Sequence, residues 1–184
     1  MDSAFFGRPQ FYMGNVDFYH SFPLTVGDEW WVYYMGFNEG HAAKNCYDDA
    51  LRRQYHADVR AGRRHFPALG LAKVRRDGFV SRDAGRDGGT LTTRLLQPGG
   101  ARLEVNATVA AGGSVTVEVQ DEDGQALPGC GAADCTPVTG DSLRHQVHWG
   151  ARRSDARWQE RPVRLRFHLR DAALYGFRFT EGEA

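Results

Sequence analysis

The sequence predicts an all-β chain in two parts: an N-terminal propeller-blade-like region carrying a short helical insertion, then an antiparallel β-sandwich. Three observations carry this expectation. Gly27–Phe37 reads as a strand with large side chains on both faces. From Thr90 onward, short segments alternate apolar with polar residues and are separated by turn residues. A single stretch, Asn45 to Arg60, shows helical spacing.

Along the first strand, Trp31, Tyr33, Met35 and Phe37 point one way and Trp30, Val32 and Tyr34 the other. A half-solvated antiparallel strand would alternate apolar with polar, so this one calls for cover on both faces, as between the sheets of a propeller. In the helical stretch Tyr47, Leu51, Tyr55 and Val59 recur at steps of four, with Asn45 as N-cap and Gly62 past the C-terminus. Asp77-Gly78 is the strongest short hairpin signal, flanked by Leu69–Arg76 and Phe79–Ser81. Asp83 to Gly89 reads as the junction, which divides the chain into 1–84, with the insertion at 42–67, and 85–184.

In the second part Leu103, Val105 and Ala107 alternate with Arg102, Glu104 and Asn106. Val115, Val117 and Val119 alternate with Thr116, Glu118 and Gln120, and Val163, Leu165, Phe167 and Leu169 with Arg164, Arg166, His168 and Arg170. Tyr175, Phe177 and Phe179 close the chain in the same way. Ala111-Gly112-Gly113 and Asp121-Glu122-Asp123-Gly124 supply turns between strands.

A length of 184 residues accommodates one large or two small domains with a real core. Lys+Arg and Asp+Glu balance at 23 each, so the composition contains no net pull toward nucleic acid or an anionic membrane, and neither is expected as a partner. Among the basic residues only Lys44 and Lys73 are lysine. No apolar run approaches the roughly 20 residues needed to span a bilayer, and Met1–Gly7 lacks a basic region followed by an apolar one, so the chain reads as soluble without a signal peptide. Three cysteines exclude a disulfide framework; Cys130 and Cys135 either close a small loop or remain free thiols.

Several segments, taken in order, resemble the C-terminal part of bacterial glycoside-hydrolase-like proteins. They are Val26–Glu29 running into Tyr33–Gly36 and Gly40-His41; Gly70–Ala72 with Arg76–Ser81; Gly89–Thr93; Leu103–Asn106; Thr139–Ser142; and Pro162–Phe167 through Leu174–Phe177. In those proteins a five-bladed propeller related to glycoside hydrolase families 32 and 43 precedes a β-sandwich. The resemblance implies a last blade followed by a sandwich, among exported relatives. Their catalytic carboxylates come from earlier blades, so no catalytic residue and no cofactor is assigned here. Glycoside hydrolysis generally needs two carboxyl groups roughly 5–10 Å apart across the sugar, and Asp28-Glu29 matches the family's entry turn instead. The implied function is carbohydrate binding or scaffolding, with a polysaccharide or oligosaccharide as partner. The alternative is a non-enzymatic interaction module that completes its exposed blade by homo-oligomerisation or with a partner chain. The Arg-rich insertion at 42–67 stands where relatives have a shorter loop.

Two groups of candidate binding residues emerge. Asn38, Glu39 and His41, at the end of the aromatic strand, match the place where related propellers face their cavity, although an ordinary strand-end turn is the more frequent origin of such a group. Arg164, Arg166, His168 and Arg170 form one basic face suited to a sulfated or uronic-acid polysaccharide. Its competing explanation is a solvated sheet face, with Glu104 and Glu118 sitting across from it. Trp30, Trp31, Tyr33 and Tyr34 are read as core rather than sugar platforms. Cys46, His56 and His65 are too irregularly spaced for zinc, and no metal is predicted. Asp141, Ser142 and His145 have the residue types of a nucleophilic triad but read as a loop, and Asp121–Gly124 as a hairpin turn, not a calcium loop. Asn106-Ala107-Thr108 fits a glycosylation sequon, yet it lies within an alternating strand.

Overall fold

A computed structural model describes residues 16–17, 23–36, 49–63, 68–150, 158 and 161–181. The described chain is mostly β, and every strand pairing in it is antiparallel. It divides into two compact units, Met1–Arg76 and Asp77–Ala184, a boundary ahead of the 84/85 junction read from the sequence.

The first unit is a four-stranded sheet of β1 (Val16–Asp17), β2 (Leu24–Val26), β3 (Glu29–Gly36) and β4 (Ala68–Arg75). The aromatic strand β3 lies at its centre. β4 pairs with it over its full length, from Glu29↔Arg75 to Gly36↔Ala68. β2 and β1 share the opposite edge, with Leu24↔Trp31 near one end and Val16↔Gly36 at the other. Gly27, at φ 59°, makes the left-handed step in the two-residue turn from β2 into β3.

This register builds two apolar faces, as the alternation of β3 requires. Trp31, Tyr33 and Met35 share one with Leu24, Val26, Leu69 and Leu71; Trp30, Val32 and Tyr34 share the other with Val74, Ala72 and Gly70. Gly70 is needed where it stands, because the Tyr34 ring occupies the space a β-carbon would take. Phe37 lies outside the described residues.

Helix α1 spans Asp49–Arg60, so it is shorter among the described residues than the expected Asn45–Arg60; Asn45 and Tyr47 lie outside them. Its end follows the expected signal. Gly62 is left-handed at φ 68°, its N–H donates to the Val59 carbonyl at 3.1 Å, and the Arg63 N–H donates to the Asp58 carbonyl at 2.9 Å. That pair of bonds is a Schellman ending, reinforced by the Arg63 guanidinium on the Asp58 carboxylate at 2.8 and 3.0 Å.

The second unit is a five-stranded antiparallel sheet, curled into a half-barrel, of β5 (Arg82–Ala84), β6 (Gly89–Thr92), β7 (Arg102–Gln120), β8 (Gly140–Gln146) and β9 (Arg164–Thr180). β9 and β7 pair along almost their entire lengths, β8 adds to β7, and β5 and β6 both add to the far edge of β9. Ala111-Gly112-Gly113 is therefore a corner and not a hairpin turn. The segments on either side of it continue one strand, and both pair with β9, where Asp171 at φ 44° turns the same corner. Gly113 lets the chains approach there, since a β-carbon on it would stand 2.6 Å from the Arg170 carbonyl oxygen and 2.7 Å from that of Asp171.

The corner also changes which residues of β9 point inward. Leu165, Phe167 and Leu169 are buried before it, Ala172 and Leu174 after it, and a bulge at Tyr175 restores the first phase for Phe177 and Phe179. Opposite them β7 keeps one phase throughout, burying Leu103, Val105, Ala107, Val109, Val115, Val117 and Val119.

Beyond the corner, the free edge of β7 is covered by the connection to β8. Val119 N–H donates to the Cys130 carbonyl at 2.9 Å, and Val115 and Val138 exchange bonds at 3.1 and 2.8 Å. Leu127, Cys130, Cys135 and Val138 from this connection join the core. Trp149 and Trp158 meet edge to face at 5.2 Å, and their indole N–H groups donate to the Val117 and Gly100 carbonyls at 2.9 and 3.2 Å.

Asp121–Gly124 forms the expected turn, with the Gln125 N–H donating to the Asp121 carboxylate at 2.8 Å. The Asp77-Gly78 hairpin is not formed. Asp77 has the positive φ of a turn, 57°, but 79–81 contain no strand; β4 pairs with β3, and the next strand, β5, pairs with β9. Turn chemistry was legible there, while the choice of partner was made by β3, whose eight residues match β4 one for one.

Candidate functional site

Among the described residues, a row of four basic side chains lies on the outward face of β9. Because Leu165, Phe167 and Leu169 point into the core, Arg164, Arg166, His168 and Arg170 point out. Neighbouring strands frame the row: Thr92 and Glu118 flank Arg166, Thr90 and Thr116 flank His168, Gln120 lies beside Arg164, and Ser114 beside Arg170. The structure thus gathers the four sequence candidates on one strand face among hydroxyl, amide and carboxylate groups.

Compensation of the three guanidinium groups is partial. Glu118 stands 3.7 Å from His168 Nε2 and accepts from the Gln120 side-chain amide at 2.5 Å. Arg164 and Arg170 reach backbone carbonyls of Thr93 and Gly112 at 3.5 and 3.2 Å. Arg166 Nε and His168 Nε2 are both buried atoms without a hydrogen-bond partner. Glu104, expected opposite this row, sits across from Arg178 and takes two bonds from it at 2.7 and 2.5 Å. Three guanidinium groups therefore share the face with one carboxylate from the framing strands, that of Glu118.

A second feature is a shallow, open groove of about 260 Å³ where β5 and β6 meet β9. Ser81, Arg82, Asp83 and Thr90 give it polar walls, with Leu91 and Leu169 beneath. In the first unit, Trp31 donates its indole N–H to Glu29 at 2.9 Å and carries the Lys73 ammonium 4.2 Å above its ring. The same sheet face leaves Leu69 71% and Leu24 53% exposed, with Val26 and Leu71 also open. Sequence reading missed that stripe. Its signal was the Leu69/Leu71 alternation with Gly70 and Ala72, which places two leucines on one side of β4.

Asn38, Glu39 and His41 lie outside the described residues, as do Cys46 and His65. His56 is exposed on α1 against the Tyr55 ring, and the described residues contain no cluster suited to a metal ion. Asp141, Ser142 and His145 are on strand β8, not in a loop. Asp141 accepts from the Thr108 hydroxyl at 3.1 Å, Ser142 from the Arg144 N–H at 3.0 Å, and His145 Nε2 lies 3.1 Å from the Ala107 carbonyl, so each faces a different partner. Asn106 is buried within β7, which removes the sequon from the surface.

Cys130 and Cys135 are both buried and do not form a disulfide. Burial pushes the Cys135 thiol up in pKa, opposed by the Val117 N–H donated to its sulfur at 3.2 Å, so it is a poor nucleophile. No helix among the described residues is long and apolar enough to cross a membrane.

Comparison with models of protein families, with characterised proteins and with solved structures finds no match.

Proposed function

We propose that this chain is the C-terminal portion of a glycoside-hydrolase-like carbohydrate-active protein, serving binding and scaffolding rather than hydrolysis. In this reading the first unit is a terminal propeller blade and the second a β-sandwich domain. The observation that carries it is the central strand β3, apolar on both faces, in a sheet that leaves Leu24, Val26, Leu69 and Leu71 open on one of them. Stacked sheets pack about 10 Å apart with interdigitated side chains, and propeller blades are antiparallel sheets stacked in that way. A sheet with this composition gains most from a second sheet laid against it.

The acidic residues at the entry turn are taken up in local structure. Asp28 accepts the Arg76 N–H through its backbone carbonyl in the turn. Glu29 is engaged by the Trp31 indole and lies 3.9 Å from the Lys73 ammonium.

Affinity electrophoresis in gels containing neutral or acidic polysaccharides, run beside assays with chromogenic glycosides, tests the reading. Retention without turnover is expected; turnover, or free migration in every gel, overturns it. The competing interaction-module reading rests on the same open leucines and predicts a homo-oligomer. Light scattering on the chain and on Leu69→Glu/Leu71→Glu, beside the same gels, separates the two: an oligomer that these substitutions dissociate, with no retention in any gel, favours the module, whereas sugar retention that survives them favours the carbohydrate-active reading.

A further inference from the structure

We propose that the outward face of β9 is a binding surface for acidic polysaccharide, with Arg164, Arg166 and Arg170 meeting its carboxylate or sulfate groups. The inference deepens the carbohydrate reading above and rests on it. Its first support is charge: three guanidinium groups and an imidazole line one strand face, and Glu118 is the one carboxylate that the flanking strands place among them. Glu118 is itself shared between Gln120 and His168.

The second support is independent of charge count. Arg166 Nε is buried without a hydrogen-bond partner, which leaves that guanidinium donor unused, and His168 Nε2, likewise without a hydrogen bond, has the Glu118 carboxylate 3.7 Å away. Turning Arg166 outward to a ligand surrenders no hydrogen bond at its Nε and gains charge-assisted ones to anionic oxygens. Arg164 and Arg170 hold neutral backbone carbonyls at 3.5 and 3.2 Å, contacts that a carboxylate or sulfate replaces with stronger ones.

Geometry favours a linear polymer. Alternate residues of a strand stand roughly 6.6–6.8 Å apart, so the row from Arg164 to Arg170 presents its cations in a line roughly 20 Å long. A chain bearing an anionic group on each sugar unit, or nearly so, can engage several at once. The framing Thr90, Thr92, Thr116 and Ser114 add hydroxyl groups of the kind that pair with sugar hydroxyls. Apart from the His168 imidazole, these strand positions put no aromatic ring on the face, and single-stranded nucleic acid binding relies on several rings for successive bases to stack on, which favours polysaccharide.

The test compares the full chain with Arg166→Ala/Arg170→Ala and with Glu118→Gln in titrations against a polyuronate, a sulfated dextran, neutral dextran and duplex DNA. Binding to the uronate or the sulfated polymer is expected, and to be largely lost by about 0.5 M NaCl. The double variant should bind about tenfold more weakly, and Glu118→Gln more tightly, with unchanged thermal melting because both sites point away from the core. The two acidic polymers decide which anionic group is recognised. Binding that ignores the double variant overturns the proposal, as does DNA bound as tightly as the acidic polymers. Retention by neutral dextran alone overturns this inference yet leaves the carbohydrate reading standing; failure with every polysaccharide overturns both.

Discussion

Gly112 and Gly113 are adjacent, have the same side chain, and serve different physical ends. Gly112, at φ 81°, has open space around its missing β-carbon, so alanine there meets only backbone strain. Gly113 has no positive φ but would drive a β-carbon to 2.6 and 2.7 Å from the carbonyl oxygens of Arg170 and Asp171. Backbone on both sides of that contact cannot yield as a flexible side chain would. Gly112→Ala should therefore cost about 1–2 kcal/mol, and Gly113→Ala as much as about 3 kcal/mol, because it forces the β7 and β9 corners apart. Urea unfolding followed by tryptophan fluorescence checks the order; equal midpoints for the two variants would mean that the corner relaxes without loss. From sequence, both glycines read as a turn. Alternation marked the flanking strands correctly, but a corner and a hairpin have the same local chemistry, and only pairing with β9 distinguishes them.

Elements were legible wherever one face is wet and the other buried. Leu103–Ala107, Val115–Val119 and Leu165–Leu169 kept the phase their alternation indicated, since a slip by one residue would have exposed the whole apolar set. Legibility failed where phase changes inside an element: Ala172 and Leu174 are buried out of step with Leu169, because Asp171 and the Tyr175 bulge each shift the alternation. It failed also for β4, whose partner precedes it by more than thirty residues in order of roughly the span between Tyr34 and Gly70. The candidate row on β9 was legible from the same alternation, whereas its neighbours were half so: Glu118 is beside it, and Glu104 belongs to Arg178. The β3–β4 pairing has its own test. Gly70→Val places a branched side chain where the Tyr34 ring lies and should destabilise the first sheet by about 1–3 kcal/mol. Limited proteolysis should then cut the β3–β4 region faster while segments of the second unit keep their protection; uniform protection would show that Tyr34 moves aside freely.

At the scale of the whole chain, the two units differ in how they obtain cohesion. Every member of the buried core cluster lies between Leu103 and Leu174, within the second unit. That unit has its own aromatic cluster, in which Trp149, Trp158 and Phe179 meet edge to face, and its long strands are paired on both edges by segments of the same unit. The first unit holds its aromatic strand half-buried, with leucines open on one face. An independent core predicts independent folding. A chain of residues 77–184 should unfold cooperatively, with the near-ultraviolet circular dichroism of a fixed Trp149–Trp158 pair and a melting midpoint within a few degrees of the corresponding transition in the full chain. Residues 1–76 alone should lack such a transition, because exposed apolar faces on a single small sheet bury too little surface to offset chain entropy. A disordered 77–184 fragment would show that the first unit contributes to the stability of the second, and the division at Arg76–Asp77 would then mark a change in contact density within one folding unit.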